Sequence, residues 1–199
     1  MNRDPKTLDD LFEKLINAIP EIKAAVLVTT EGMPIASAIP REVDDVKVSA
    51  IVSALLSISE QVIADMKKGD FDQLNIRGSF GYIMILQAGP REVLMVSTTS
   101  DVRLGLLFLE LRQTIGGILM NNPKVAKSLD KIITLMKEKS VEELTFERKY
   151  LLEIFEDEVL HISDIDGLPT LKPWLVIFLN NNGIWTNIQG DSIEFIKQN

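Results

Sequence analysis

The stretch "AAVLVTTEGMPIAS", residues 24–37, decides the fold. It opens on small and β-branched apolar residues, which suit a strand. Glu31-Gly32 then supplies a turn, and Pro34 to Ala38 a short return strand. Gly32 pays no steric cost for the positive φ of a tight turn. Pro34 fits the start of a short strand, where a missing donor is harmless. Ile35, Ala36 and Ala38 are placed to pack under helices. Gly32, Pro34 and Ile35 therefore read as a structural hairpin.

Outward toward the N-terminus, Thr7 is the predicted cap of a helix. Leu8, Leu11, Phe12, Leu15 and Ile16 follow at helical spacing, and Pro20 stops them. A strand is predicted over 22–28. On the other side the period changes from Glu42. Val46, Val48, Ile51, Leu55, Ile58, Val62, Ile63 and Met66 fit one long helix with a wide apolar stripe. Asp44 and Asp45 fall in its first turn and Lys67 and Lys68 in its last, matching the helix dipole. Gly69 is placed to end it.

Three strands are predicted next, over 71–77, 82–86 and 93–96, punctuated by Gly78-Ser79 and Ala88-Gly89-Pro90. The last two are apolar almost throughout, the mark of strands covered on both faces. A third helix is predicted from about 101 to 119, with Leu104, Leu107, Phe108, Leu111 and Ile115 as its core face. Helix, two strands, helix, three strands, helix makes a three-layer α/β/α sandwich around a five-stranded, mainly antiparallel sheet.

Asn121-Asn122-Pro123 marks a boundary between a domain of residues 1–120 and an extension of residues 121–199. Helices are predicted over 125–137, 144–155 and 168–179. A hairpin follows, 184–188 and 192–196, about Gly190-Asp191. Helices before a terminal hairpin suggest a winged-helix-like appendage, or a helical extension folded back on the first domain.

The 199 residues carry a net charge of −8 and contain no cysteine and one histidine, His161. Disulfides, thiolate metal sites and cysteine nucleophiles are excluded, and a histidine-built centre is disfavoured. Asp157-Glu158 and Asp164-x-Asp166-Gly167 lack the further oxygen ligands of a calcium loop and read as solvated acids. No G-x-x-x-x-G-K-[ST] loop occurs, and Gly78-Ser79-Phe80-Gly81 reads as a strand-to-strand turn. No catalytic group, metal or cofactor is expected. Residues 120–199 hold nine basic and thirteen acidic side chains, so a winged helix there would bind protein rather than nucleic acid. Asp4, Asp9 and Asp10 rule out a secretory leader. The longest clean apolar run, 174–179, falls far short of a transmembrane segment. The expected location is the cytoplasm.

Two blocks in this order resemble the roadblock family, that of dynein light chain roadblock and its prokaryotic relatives. The first is the opening hairpin, with Gly32, Met33, Pro34, Ile35 and Ala36 at the family's turn. The second is "LNIRGSFGYIMILQAGPREVLMVSTTSDVRLGLLFLELRQTIGGI", residues 74–118, similar to the family's last three strands and closing helix. Leu104-Gly105-Leu106 is typical of that helix start. The resemblance covers roughly the first 119 residues; the remainder resembles nothing known to us.

The resemblance implies dimers, with itself or another roadblock protein. In such dimers the third strands pair across the axis and the second helices lie side by side. Phe71, Gln73, Asn75 and Arg77 on the strand and Val48, Ile51, Leu55, Ile58 and Val62 on the helix are then the interface candidates. The residues agree, because 71–77 is the least apolar strand, as suits an edge. The resemblance also implies a platform for a small Ras-like GTPase, acting by ordering the partner's own catalytic residues. Glu42, Asp44, Asp45 and Lys47, where the long helix begins, are the candidate contacts. The other reading is a dimeric sensor or transcription-associated regulator whose tail binds DNA, a ligand or another protein. A hydrolase built on carboxylate pairs has no motif behind it.

Overall fold

The computed structural model describes residues 5–123, 125–127, 130 and 134, and the segments 143–147, 163–165, 168–170, 179–180, 184–189 and 192–197. The chain divides into two compact units, Met1–Asn121 and Asn122–Asn199.

In the first unit α1 (Pro5–Ala18) leads into the hairpin of β1 (Ile22–Thr29) and β2 (Pro34–Ala38). Then come α2 (Asp45–Asp65), the meander β3 (Gln73–Gly78), β4 (Gly81–Gln87) and β5 (Glu92–Thr99), and α3 (Leu104–Met120). The sheet runs β2-β1-β5-β4-β3, every pair antiparallel. The five-stranded α/β fold is the one expected. Pro5 opens α1, because a first-turn proline forfeits no intrahelical bond. Thr7 therefore lies inside the helix and is not its cap.

Alternation along the strands divides the core. Val26 and Val28 of β1, Ile85 of β4, and Val93 and Met95 of β5 point to one face and pack with Val52 and Leu56 of α2. Their neighbours Ala25, Leu27, Met84, Leu94 and Val96 point the other way and are equally buried. Leu8, Phe12 and Leu15 of α1 and Leu107, Leu111 and Ile115 of α3 are buried too. Leu104 is partly exposed rather than core, because it stands at the first residue of α3.

The ends of α2 differ from expectation. Asp44 is the N-cap itself, its carboxylate accepting from the backbone N–H groups of Val46 and Lys47 at 3.0 and 3.2 Å. The helix stops at Asp65, so Lys67 and Lys68 lie beyond it. Lys67 takes a left-handed φ of 52° and donates its N–H to the carbonyl of Ala64, while Lys68 donates to Ile63. That pair of bonds is a Schellman cap, with lysine where glycine is usual. Lys67→Gly is therefore expected to stabilise the protein by about 0.5–1 kcal/mol, measured by urea unfolding. An unchanged midpoint would contradict this account of the cap.

In the second unit β6 (Glu143–Glu147), β10 (Ser192–Lys197) and β9 (Ile184–Gln189) form a sheet in the order β6-β10-β9. β7 (Ser163–Ile165) pairs with β8 (Leu168–Thr170). The 184–197 hairpin is as predicted, with Gln189 opposite Ser192. Two helices are corrected to strand where described. Residues 143–147 are strand, because Leu144-Thr145-Phe146 is a β-forming alternation. Residues 168–170 are strand, paired antiparallel with 163–165. Of the helix expected over 125–137, residues 125–127, 130 and 134 are helical.

Candidate functional site

Helix α2 has two apolar stripes, not one. Ser49, Val52 and Leu56 are buried against the sheet, with Val48, Leu55 and Ile63 partly buried beside them. A second row, Ile51, Ile58, Val62 and Met66, advances by three or four residues at each step from Leu55 and lies 50–66% exposed. Leu55 belongs to both rows. At 100° per residue the two rows lie about a quarter turn apart, too far for one sheet to cover both. By length and composition α2 is also the one helix among the described residues that could cross a membrane. Its inner row is already packed on protein, so that apolar character serves a core and a second surface.

Beside this helix the sheet ends in β3, which among the described residues is hydrogen-bonded only to β4. Ile85 belongs to the α2-side core, so Ile83, two residues along, shares its face. Opposite them on β3 stand Leu74 and Ile76. Ile83 remains partly exposed. The α2 side of the sheet edge is thus apolar. The other side carries Gln73, Asn75 and Arg77, all exposed. Arg77 lies over the ring of Tyr82, 5.8 Å from its centroid. The tip of the β3–β4 hairpin holds Phe80 out in solvent, 92% exposed. Phe71 is corrected: it precedes β3 and is buried to 3% in the core under α2, so it has no surface to offer a partner.

The opposite edge, β2, is built differently. It starts at Pro34, and its register slips by one residue beside Val28. Proline and a bulge both blunt an edge against pairing. β3 has neither.

The Gly32 turn rests on the middle of α2. The hydroxyl of Ser53 donates to the carbonyl of Thr30 at 2.5 Å, and Thr29 Oγ1 accepts from the N–H of Met33. Gly32 has φ 86°, and a Cβ there would stand 3.2 Å from Ser53 Cβ and 3.4 Å from Ala50 Cα. Hydrogen bonds from its own backbone N–H and from the Thr29 and Thr30 hydroxyls hold the Glu31 carboxyl below its ordinary pKa, with Arg91 adding a smaller pull. Gly32→Val is expected to cost about 2–3 kcal/mol, through left-handed strain and the push against α2. Thermal unfolding checks this, and unchanged melting would contradict it.

The four residues at the start of α2 divide by role. Glu42 and Lys47 are exposed. Asp44 is committed as the N-cap, and Asp45 accepts a hydrogen bond from the Ser37 hydroxyl at 3.4 Å. Among the described residues no cluster of His, Cys, Asp or Glu is arranged to hold a metal. His161, Asp157 and Glu158 lie outside the described residues. Gly78-Ser79-Phe80-Gly81 is the turn from β3 to β4. Sequence reasoning missed Met66, Phe80 and Ile83 as exposed apolar residues. The signal was available for Met66, at the next step of the Ile58–Val62 row.

Comparison with known proteins places the first unit in a family. The model of the Roadblock/LC7 domain matches residues 8–98. Uncharacterized protein MJ0310 of Methanocaldococcus jannaschii is 32% identical over 98 residues, covering 49% of this chain and 85% of that protein. The Roadblock/LC7 domain from Streptomyces avermitilis superposes with a TM-score of 0.53 at 19% identity, over 55% of this chain and 92% of that one. Myxococcus xanthus MglB does so with a TM-score of 0.56 at 17% identity, over 59% and 89%. At such identities the two structures speak for the fold alone.

Proposed function

Since this chain belongs to the Roadblock/LC7 family, we propose that it is a cytoplasmic dimeric platform that binds a small Ras-like GTPase and modulates its cycle. The observation that supports this best is the exposed apolar row of α2 beside an open, unblunted edge strand. Such an edge invites pairing with another chain, and a second copy brings the same edge.

The edge is also self-complementary. Side chains directly opposite in an antiparallel pair share a face, so a strand paired with its own copy is centred on a residue, not between two. Centring on Asn75 sets Leu74 opposite the second copy's Ile76 on the apolar side. On the polar side it sets Gln73 opposite Arg77. It pairs Gln73 to Arg77, whereas centring on Ile76 sets Leu74 against Gly78 and centring on Leu74 pairs only Gln73 to Asn75. Ile51, Leu55, Ile58 and Val62 then face the second copy's α2. Val48, partly buried inward, contributes least.

The family resemblance supplies the GTPase as partner. The chain carries no phosphate-binding loop motif, so the partner brings the nucleotide. Glu42 and Lys47 remain the surface contacts near the start of α2. Asp44 and Asp45 act by fixing the helix start. An acidic protein of charge −8 speeds encounter with a basic face. Residues 121–199 form, in this reading, a separate protein-binding unit, with exposed Trp185 as one contact. Gel filtration with Ras-like GTPases from the same cell, loaded with GDP or a GTP analogue, tests the proposal. Co-elution in one nucleotide form is expected. No co-elution in either form overturns it.

A further inference from the structure

The blunted edge has a feature of its own. A groove of about 410 Å³ separates β2 from α1. Its floor is Phe12 and Ile16, its outer wall Asp9, Glu13 and Asn17, and its inner wall the strand itself at Ser37 and Ala38, with the Ser37 hydroxyl turned away toward Asp45 of α2. The groove exists because β2 turns only small side chains to its walls. Ala36 and Ala38 stand opposite Leu27 and Ala25, whose neighbours Val26 and Val28 face α2. Both alanines therefore face the α1 side, and Ala38 lines the groove. Pro34 and the bulge close the first half of β2 to pairing. From Ala36 to Ala38 the register is regular and, among the described residues, the outer side is unpaired.

The outer wall is charged. Asp9 and Glu13 lie four residues apart on one face of α1, both exposed, and among the described residues neither is paired with a cation. Like charges at that spacing repel within a helix, and a cationic partner would relieve the repulsion. They sit about 6 Å apart along the helix axis. Side chains two apart on an added strand sit about 6.8 Å apart. A strand laid beside Ala36–Ala38 turns every second side chain to the groove, whose far wall carries the two carboxylates.

We propose that this groove docks an extended, basic segment of a partner protein, in which Lys or Arg alternates with apolar residues. Short main-chain pairing to Ala36–Ala38 sets its direction. Its aliphatic stems cover Phe12 and Ile16, and its charges reach Asp9 and Glu13. The site lies on the sheet edge opposite β3, so it does not depend on the dimer.

The test uses the full chain and a labelled ten-residue peptide of alternating lysine and valine, followed by fluorescence anisotropy. Amide hydrogen exchange locates the bound peptide. The expected result is binding that protects residues 36–38. Asp9→Lys with Glu13→Lys should weaken it at least tenfold, while Glu60→Lys with Asp65→Lys on α2 leaves it unchanged. Circular dichroism confirms that both variants fold; all four positions are exposed. Equal weakening by both pairs, protection elsewhere, or no binding by the unaltered protein overturns the proposal.

Discussion

Ile58→Glu is expected to convert a dimer to a monomer at micromolar concentration. Ile58 is 61% exposed in the single chain and sits mid-way along the outer row of α2. Burying an isoleucine contributes about 1.5–3 kcal/mol, and two-fold symmetry counts it twice. The glutamates also resist desolvation without a cation beside them. Together the loss exceeds about 4 kcal/mol, or roughly a thousandfold in dissociation constant. Because the inner row of Ser49, Val52 and Leu56 is untouched, the monomer should keep its fold. Sedimentation equilibrium reads the mass, and near-UV circular dichroism the fold. A variant as dimeric as the parent would move the interface off α2.

Gly81→Ala should be the most destabilising single-methyl change in the first unit. Gly81 opens β4 opposite Thr99. A Cβ there would run into the carbonyl oxygen of Thr98, with Thr98 C at 2.9 Å and Thr99 Cα at 3.2 Å. All three are backbone atoms of a central strand, so no rotamer relieves the clash. About 3 kcal/mol or more should be lost, which lowers the melting temperature by about 10 °C. Gly105 is the internal control. A Cβ there meets nothing within 4 Å, and the residue is helical, so Gly105→Ala should raise stability slightly. Equal melting of the two variants would contradict the packing described between β4 and β5.

Much of the first unit could be read before folding. The turn at Gly32, the unbroken apolar runs of β4 and β5 and the change to helical period after Glu42 each have one physical reading, and they agree. The errors came where a residue serves two elements. Phe71 looks like the first residue of a strand because it precedes an alternating run, yet its ring belongs to the α2 core. Val48 and Ile51 look alike in the sequence. Only the path of the sheet decides that one is half-covered and the other open. Asp44 carries the cap signal and Asp45 does not, a distinction that rests on one residue of helix start. In the second unit local patterns misled. Leu144-Thr145-Phe146 fits the start of a helix over 144–155 as well as a strand, and only its pairing with β10 decides between them. Asp164-x-Asp166-Gly167 reads as an acidic loop, yet residues 163–165 and 168–170 are paired strands.

The dimer at the centre of the proposed function has a direct test, made clean by the absence of cysteine. Asn75→Cys introduces a single exposed thiol at the proposed two-fold axis. Opposite residues of an antiparallel pair hold their Cβ atoms about 4.5–5.5 Å apart, close enough for a small adjustment to permit a disulfide. Under mild oxidation Asn75→Cys should form a reducible covalent dimer nearly to completion. Leu74→Cys and Ile76→Cys, each diagonal to its own copy, should do so slowly. Efficient cross-linking at position 74 or 76 instead would shift the register while keeping the dimer. A protein that stays monomeric by sedimentation and leaves all three thiols free would contradict the dimeric platform itself.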